Sequence, residues 1–252
     1  MPVIAITFAL PEESKDLRRA LENSRLVRKG VAGPLLTGSL EGANVAIAHT
    51  GIGREAALQT ARDLLRDYQP SLLISSGFAG GLSRELRVGD VVFDAAETRS
   101  TAPNTTGLFA GRITTSEHVI ETPAGKIALR EATGALGVDM ESSAISAACR
   151  ETGTPFVCIR GISDAVSDRL PVPMPHWFDL EKQRPRPLGL VLFLLSHPSR
   201  ILPFGSFLRG LPLARRAMTD AILAFVERSI SPGANRVESA PAAEPSSAAS
   251  DD

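Results

Sequence analysis

Residues 138–168 read VDMESSAISAACRETGTPFVCIRGISDAVSD, and the reading of the fold starts there. A short strand closes at Val138. Met140 to Glu151 is rich in alanine and serine and reads as a helix. Pro155 to Arg160 is a continuous apolar run of the kind that forms a strand buried on both faces. A strand, a helix and a second strand in one short stretch predict a parallel sheet covered by helices.

The flanking sequence repeats this rhythm. Val3–Ala9 is a short apolar run rich in β-formers that stops at Pro11, and the charged stretch Glu12–Glu22 reads as helical. Asn44–His49 is a second strand, and Gly51-Ile52-Gly53 is a turn. Arg54–Tyr68 carries Ala57, Ala61, Leu64 and Leu65 at helical spacing and ends before Pro70. Leu72–Ser75 reads as a third strand followed by a loop over Gly77–Gly81, Val88–Phe93 as another strand, and Thr122–Thr133 as a helix. The prediction is a three-layer α/β/α sandwich around a mixed, mostly parallel central sheet. Ligands of such sheets bind at the carboxyl ends of the strands. That places the candidate site in segments 10–13, 50–54, 77–81, 139–141 and 161–164.

Composition narrows the function. The formal net charge of −1 and an aromatic content of 5% speak against nucleic-acid binding, which needs a basic excess or stacking platforms. Cys149 and Cys158 lie in apolar segments and read as buried free thiols of a reducing compartment. Neither pairs with histidine at a metal-ligand spacing, so neither a metal nor a redox cofactor is expected. The start MPVIAITFALPEE has no basic region and no small-residue cleavage site, which points to a cytoplasmic protein.

Beyond residue 170 the character changes. A catalytic domain over 1–170 is expected to give way to a proline-rich linker and amphipathic extension over 171–230. Residues 187–228 combine leucine, phenylalanine and isoleucine with five arginines and only two acids. Residues 188–196 are too few to span a bilayer, and Pro198, Pro203 and Pro212 interrupt any longer helix. The pattern suits a segment lying at a membrane surface, at the inner membrane face, or a cover over an apolar ligand. A helix packed on the sheet, or a subunit contact, is the plainer reading. Residues 231–252 are proline, alanine, serine and glutamate and are expected to be disordered.

Acids stand after three strands: Glu12 and Glu13, Glu141, and Asp164. Taken singly, such residues are commonly helix caps or solvated charges. Read together, the ordered segments are more specific: the early acidic turn, HTGIGREAA (49–57), ISSGFAGGL (74–82) with VGDVV (88–92), DMES (139–142) and RGISD (160–164). They resemble the nucleoside phosphorylase/nucleosidase family, above all its methylthioadenosine/S-adenosylhomocysteine nucleosidase branch, over about residues 1–170. The resemblance implies cleavage of the N-glycosidic bond of a purine nucleoside. Such a reaction needs a proton for the leaving purine, a hold on the ribose as charge develops at C1′, and a nucleophile on the opposite face.

The family's roles carry over residue by residue. Asp164 would protonate purine N7 with Ser163 orienting it. Glu141 would accept from the ribose hydroxyls and Met140 would pack on the sugar. Glu13, or Glu12 if the turn slips by one, would activate water. Ala79 and Gly80 would line the base and sugar site, and Val119 and Ile120, within SEHVI, would flank the purine. His118 reads as a surface histidine, and His49 is a lesser candidate. Phe78 stands where the family often has serine, which suggests a more apolar site. Ser75 stands where phosphorylase members have arginine, so the usual phosphate site is not visible. Arg54 is the remaining phosphate candidate, through the helix N-terminus, with inorganic phosphate as co-substrate if so.

The apolar, arginine-bearing tail resembles the hopanoid-associated phosphorylase branch. That resemblance implies a lipid-linked adenosine, adenosylhopane, as substrate, with adenine released, and the family implies a homodimer. Two alternatives are an ordinary cytosolic methylthioadenosine/S-adenosylhomocysteine nucleosidase, and a non-catalytic nucleoside-binding or membrane-adaptor protein.

Overall fold

A computed structural model describes residues 2–29, 33–98 and 100–230; the stretch expected to be disordered, 231–252, lies outside them. In chain order the elements are β1 (Val3–Phe8), α1 (Lys15–Ala20), β2 (Glu22–Lys29), β3 (Pro34–Leu40), β4 (Ala43–His49), α2 (Arg54–Tyr68), β5 (Leu72–Gly81), β6 (Val91–Asp94), β7 (Leu108–Ala110), β8 (Ile113–Thr115), α3 (Pro123–Thr133), β9 (Gly137–Asp139), α4 (Ser142–Thr152) and β10 (Phe156–Asp164). A small hairpin of two-residue strands, Phe178–Asp179 and Arg184–Pro185, precedes α5 (Pro187–Ser196) and α6 (Ile201–Ile230).

The central sheet runs β2-β3-β4-β1-β5-β10-β6-β7, with β9 branching from β5 and β8 pairing β9. Its middle is parallel: β4, β1, β5 and β10 all point the same way. Period-two alternation along these strands produces the layers. Ile4, Ile6 and Phe8 of β1 join Val157 and Ile159 of β10 on the face covered by α6 and α1. Ala5 and Cys158 turn to the other face, against Ala57 and Ala61 of α2 and Ile145 and Ala148 of α4. The predicted three-layer sandwich is what the chain adopts.

Several local readings need correction; the strand expected over 88–93, for one, begins at Val91. The helix expected over 12–22 is confined to α1, and Glu22 opens β2. Strands β2 and β3 were not expected at all. They extend the sheet antiparallel at its edge, where Leu26 and Val27 are exposed, so no apolar alternation marks β2. The segment expected as a loop over Gly77–Gly81 is strand. Its backbone finds partners on both sides, Gly77 opposite Arg160 and Gly80 opposite both Asp164 and Val138. Those partners lie far along the chain, so local propensity understates them. Strand β10 likewise runs on through Asp164.

The C-terminal helix divides in two. Its second half is core: Met218, Ala221, Ile222, Phe225 and Val226 pack with β1, β4 and β10. Contact is close enough that a side chain at Gly161 would meet the Ala214 carbonyl at 2.6 Å. The start of α6, to about Leu208, and the outer face of α5 are exposed, while the inner face of α5 rests on His176 through Gly189 and Phe193. No residue of α5 is buried, and Leu195 and Leu202 are 72% and 82% exposed. Among the described residues no single helix is long and apolar enough to cross a membrane, although α5 and the helical run from Pro198, turned by 110° to one another, reach that apolar length together.

Phe225 is buried and meets Phe93 edge-on at 5.2 Å between ring centroids. Phe225→Ala should therefore cost about 3–5 kcal/mol, read as a lower urea midpoint of unfolding.

Candidate active site

The carboxyl ends of β1, β5, β9 and β10 gather four buried carboxylates: Asp139, which pairs with Arg160, and Glu13, Glu141 and Asp164. Glu13 follows β1 in a tight turn. Its Oε2 accepts from the Leu10 N–H at 2.8 Å and its Oε1 from the Phe78 N–H at 2.9 Å, which ties the turn to β5. Gly77 makes room for it. The residue has φ of +147°, and a Cβ there would lie 3.0 Å from Glu13 Oε1. Burial pushes the Glu13 carboxyl above its ordinary pKa, against the two N–H donors and the Arg160 charge, which pull it down.

Glu141 caps α4. Its Oε1 accepts from the Gly53 N–H at 2.7 Å, at the N-terminus of α2, and its Oε2 from the Met140 N–H at 3.3 Å. Burial, with the neighbouring Asp139 carboxylate, raises its pKa to about 8. Asp164 ends β10. Its Oδ1 accepts from the Ser163 hydroxyl at 2.6 Å, and its Oδ2 forms an ion pair with Lys126 of α3. The Ser163 hydroxyl has a second acceptor in the Ala79 carbonyl, 3.3 Å away.

Most of the residues chosen from the sequence surround these acids. Ala79 is buried on β5 with Phe78 partly buried beside it, and Gly80 lies against Asp164. Val119 and Met140 pack with Ile52, Met174 and Phe178, an apolar wall drawn partly from beyond residue 170. Ile120 packs instead with Leu82, Ala135 and Val138. Glu12 is exposed and pairs with Lys15, which leaves Glu13 as the acid that faces the site. Arg54 is exposed at the start of α2, and the nearby Gly53 N–H is already given to Glu141.

The histidines stand apart from the chemistry. His118 is exposed. His49 is buried, its Nδ1–H donating to the Pro34 carbonyl at 2.7 Å and its Nε2 accepting from Ser14 Oγ at 2.7 Å. Burial lowers its pKa to about 4, so it is a neutral tie between β4 and the turn before α1.

Three groups were missed from sequence. Arg160 is fully buried in β10 and holds Asp139 at 2.6 Å and Ser75 Oγ at 2.9 Å. The guanidinium thus arrives beside Ser75 from the neighbouring strand. An arginine inside an apolar strand was the available signal, because such a charge must be paired. Lys126 had no signal, since a lysine on an amphipathic helix is ordinarily solvated. Gln183 grips the 52–53 turn, accepting from the Ile52 N–H at 2.8 Å and donating to the Ile52 carbonyl at 2.9 Å.

The family model described as the phosphorylase superfamily matches residues 3–108 and 94–184. Among solved structures, the fold is similar to S-adenosylhomocysteine nucleosidase from Streptococcus pyogenes in complex with 5-methylthiotubericidin (TM-score 0.65, 18% identity, 90% of this chain and 96% of that one). It is similar to 5′-methylthioadenosine/S-adenosylhomocysteine nucleosidase from Neisseria meningitidis with methylthio-immucillin-A (0.65, 20%, 90% and 99%). It also resembles futalosine hydrolase of Helicobacter pylori (0.63, 16%, 90% and 97%). At these identities the likeness speaks to fold.

The raised Glu141 carboxyl makes a pH prediction. Between about 4.5 and 8 the folded chain holds a proton there that the unfolded chain has released, so this group's contribution to stability is full below 4.5 and is lost as pH rises toward 8. Urea midpoints measured across that window should fall less steeply with rising pH in Glu141→Gln than in the wild type. An identical slope would mean Glu141 ionises normally.

Proposed function

The chain belongs to the phosphorylase superfamily, and from that premise we propose that it breaks the N-glycosidic bond of a purine nucleoside and releases adenine. The observation that carries the reading is the convergence of Glu13, Glu141 and Asp164 at one end of the sheet, all buried and each held by a different element. Asp164 serves the leaving base, Glu141 the ribose hydroxyls and Glu13 the nucleophile. Solved neighbours include nucleosidases determined with adenosine-type analogues, which is consistent with this substrate class. Glu13, its pKa raised by burial, is suited to take a proton from water, so water is the proposed nucleophile. Products formed with and without inorganic phosphate test this, and a strict phosphate requirement with a sugar 1-phosphate product would reverse it.

The proposed substrate is a lipid-linked adenosine, as the tail's resemblance to the hopanoid-associated branch suggests, reached at a membrane surface. Support comes from α5 and the first half of α6. Leu188, Leu192, Leu195 and Leu202 are exposed together. From Lys182 to Thr219 the chain has no acidic residue and carries Arg184, Arg186, Arg200, Arg209 and Arg216, while Arg215 is turned inward to an ion pair with Asp16. An apolar face with cations and no acids gains from both buried area and anionic headgroups.

Two experiments follow. Asp164→Asn should lower adenine release by roughly 10²-fold while the fold is kept; a rate within a few-fold of wild type removes Asp164 as the acid. For the surface, deletion of the tail is unsuitable, because Met218 to Val226 are core. Combined Leu188, Leu192, Leu195 and Leu202→Ser substitutions leave that core intact. They should abolish binding to anionic phospholipid vesicles and reduce turnover of a lipid-linked adenosine far more than that of methylthioadenosine. Equal losses on both substrates would reduce the assignment to a generic adenosine derivative.

A further inference from the structure

Lys126 is fully buried, and its ammonium has three acceptors: Asp164 Oδ2, the Ala165 carbonyl at 2.7 Å and the Asp168 carbonyl at 3.1 Å. An ammonium has three N–H donors, so this set saturates it. A neutral amine has two N–H donors and one lone pair. The two carbonyls would take the donors, and the lone pair would accept from a protonated Asp164. The same geometry therefore satisfies both the ion pair and the neutral pair, and the difference between them is the position of one proton.

We propose that the proton given to the leaving purine is stored on Lys126 and reaches the base through Asp164; this rests on the nucleoside-cleaving reading above. A substrate that displaces water from the site penalises two separated charges and favours the neutral pair. The Nζ–H bond breaks and the Oδ2–H bond forms. The Ser163 hydroxyl turns to the Ala79 carbonyl, and the Asp164 hydroxyl rotates about its C–O bond toward the base. Then Oδ2–H breaks, N7–H forms, and the electron pair of the C1′–N9 bond stays with the purine. Water bonds C1′ and gives its proton to Glu13; Lys126 is left neutral and, being fully buried, regains a solvent proton through Asp164 when the products leave. The arrangement explains how a carboxylate that rests in an ion pair acts as an acid. Lys126 works through Asp164 and is a positioning residue in that sense.

The test compares two substrates. A 5′-alkyl adenosine needs a proton at its base, whereas 4-nitrophenyl β-D-ribofuranoside expels nitrophenolate without one. Lys126→Met and Lys126→Gln should lose roughly 10²-fold in kcat on the adenosine, the scale of a lost general acid, and stay within a few-fold on the nitrophenyl riboside. Lys126→Arg keeps the cation but does not surrender its proton, so it should fail on the adenosine as well. Adding Lys126→Met to Asp164→Asn should cost nothing further. Equal losses on both substrates, or recovery by arginine, would overturn the proposal and leave Lys126 as packing or a counter-charge. Should the variants not fold, the wild type decides: its single-turnover solvent isotope effect must be larger on the adenosine than on the nitrophenyl riboside, and equal effects refute the relay. A wild type that cleaves neither substrate would instead sink the nucleoside reading itself.

Discussion

A guanidinium sealed inside a sheet cannot stay charged without partners, and Arg160 organises the site by recruiting them. Its Nε and a terminal nitrogen both reach Asp139 Oδ2, at 2.8 and 2.6 Å, and it also meets Ser75 on β5. Asp139 in turn accepts from the hydroxyls of Thr115 on β8 and Ser142 on α4, at 2.8 and 2.9 Å. One buried charge thereby joins β5, β8, β9, β10 and the start of α4. Breaking such a pair by removing one partner typically costs 3–5 kcal/mol, whereas its net worth against apolar residues is small. Its value here is register: it sets where β9 ends, and hence where Met140 and Glu141 begin.

That network also explains how much of the molecule was readable in advance. The layers were legible because β1, β5 and β10 carry apolar runs that only a doubly covered sheet satisfies. The acids were legible through the early acidic turn, DMES and RGISD read together, since position alone was weak and Glu141 follows the short strand β9 rather than one of those runs. What escaped depends on partners distant in sequence. The glycine-rich end of β5 is strand because Arg160 to Asp164 and Val138 lie beside it. β2 escaped because an edge strand faces water and needs no alternation. Lys126 escaped because nothing in PAGKIALREAT marks one lysine as buried; only the approach of α3 to the end of β10 does so.

The boundary near residue 170 marks a change in composition more clearly than a change in structure. The family match continues to residue 184, and Met174 and Phe178 complete the apolar wall around Met140 and Val119. The second half of α6 fills the core layer over β1 and β10, so the extension is partly foundation. What is left exposed is narrow: the outward leucines of α5 and of the first turns of α6, with Arg200 between them.

These parts are mechanically joined. The ring of Phe193 on α5 lies 4.5 Å from that of His176, just before Trp177 and Phe178. From the hairpin that follows, Gln183 holds both polar groups of Ile52, and the next N–H in the chain, that of Gly53, is bound to Glu141. The path from the exposed apolar helix to the proposed ribose acid is thus a few rigid contacts long. Ile52 also packs with Met174 and Phe178, so the 50–54 turn and the 174–183 segment are closed on one another beside Glu141.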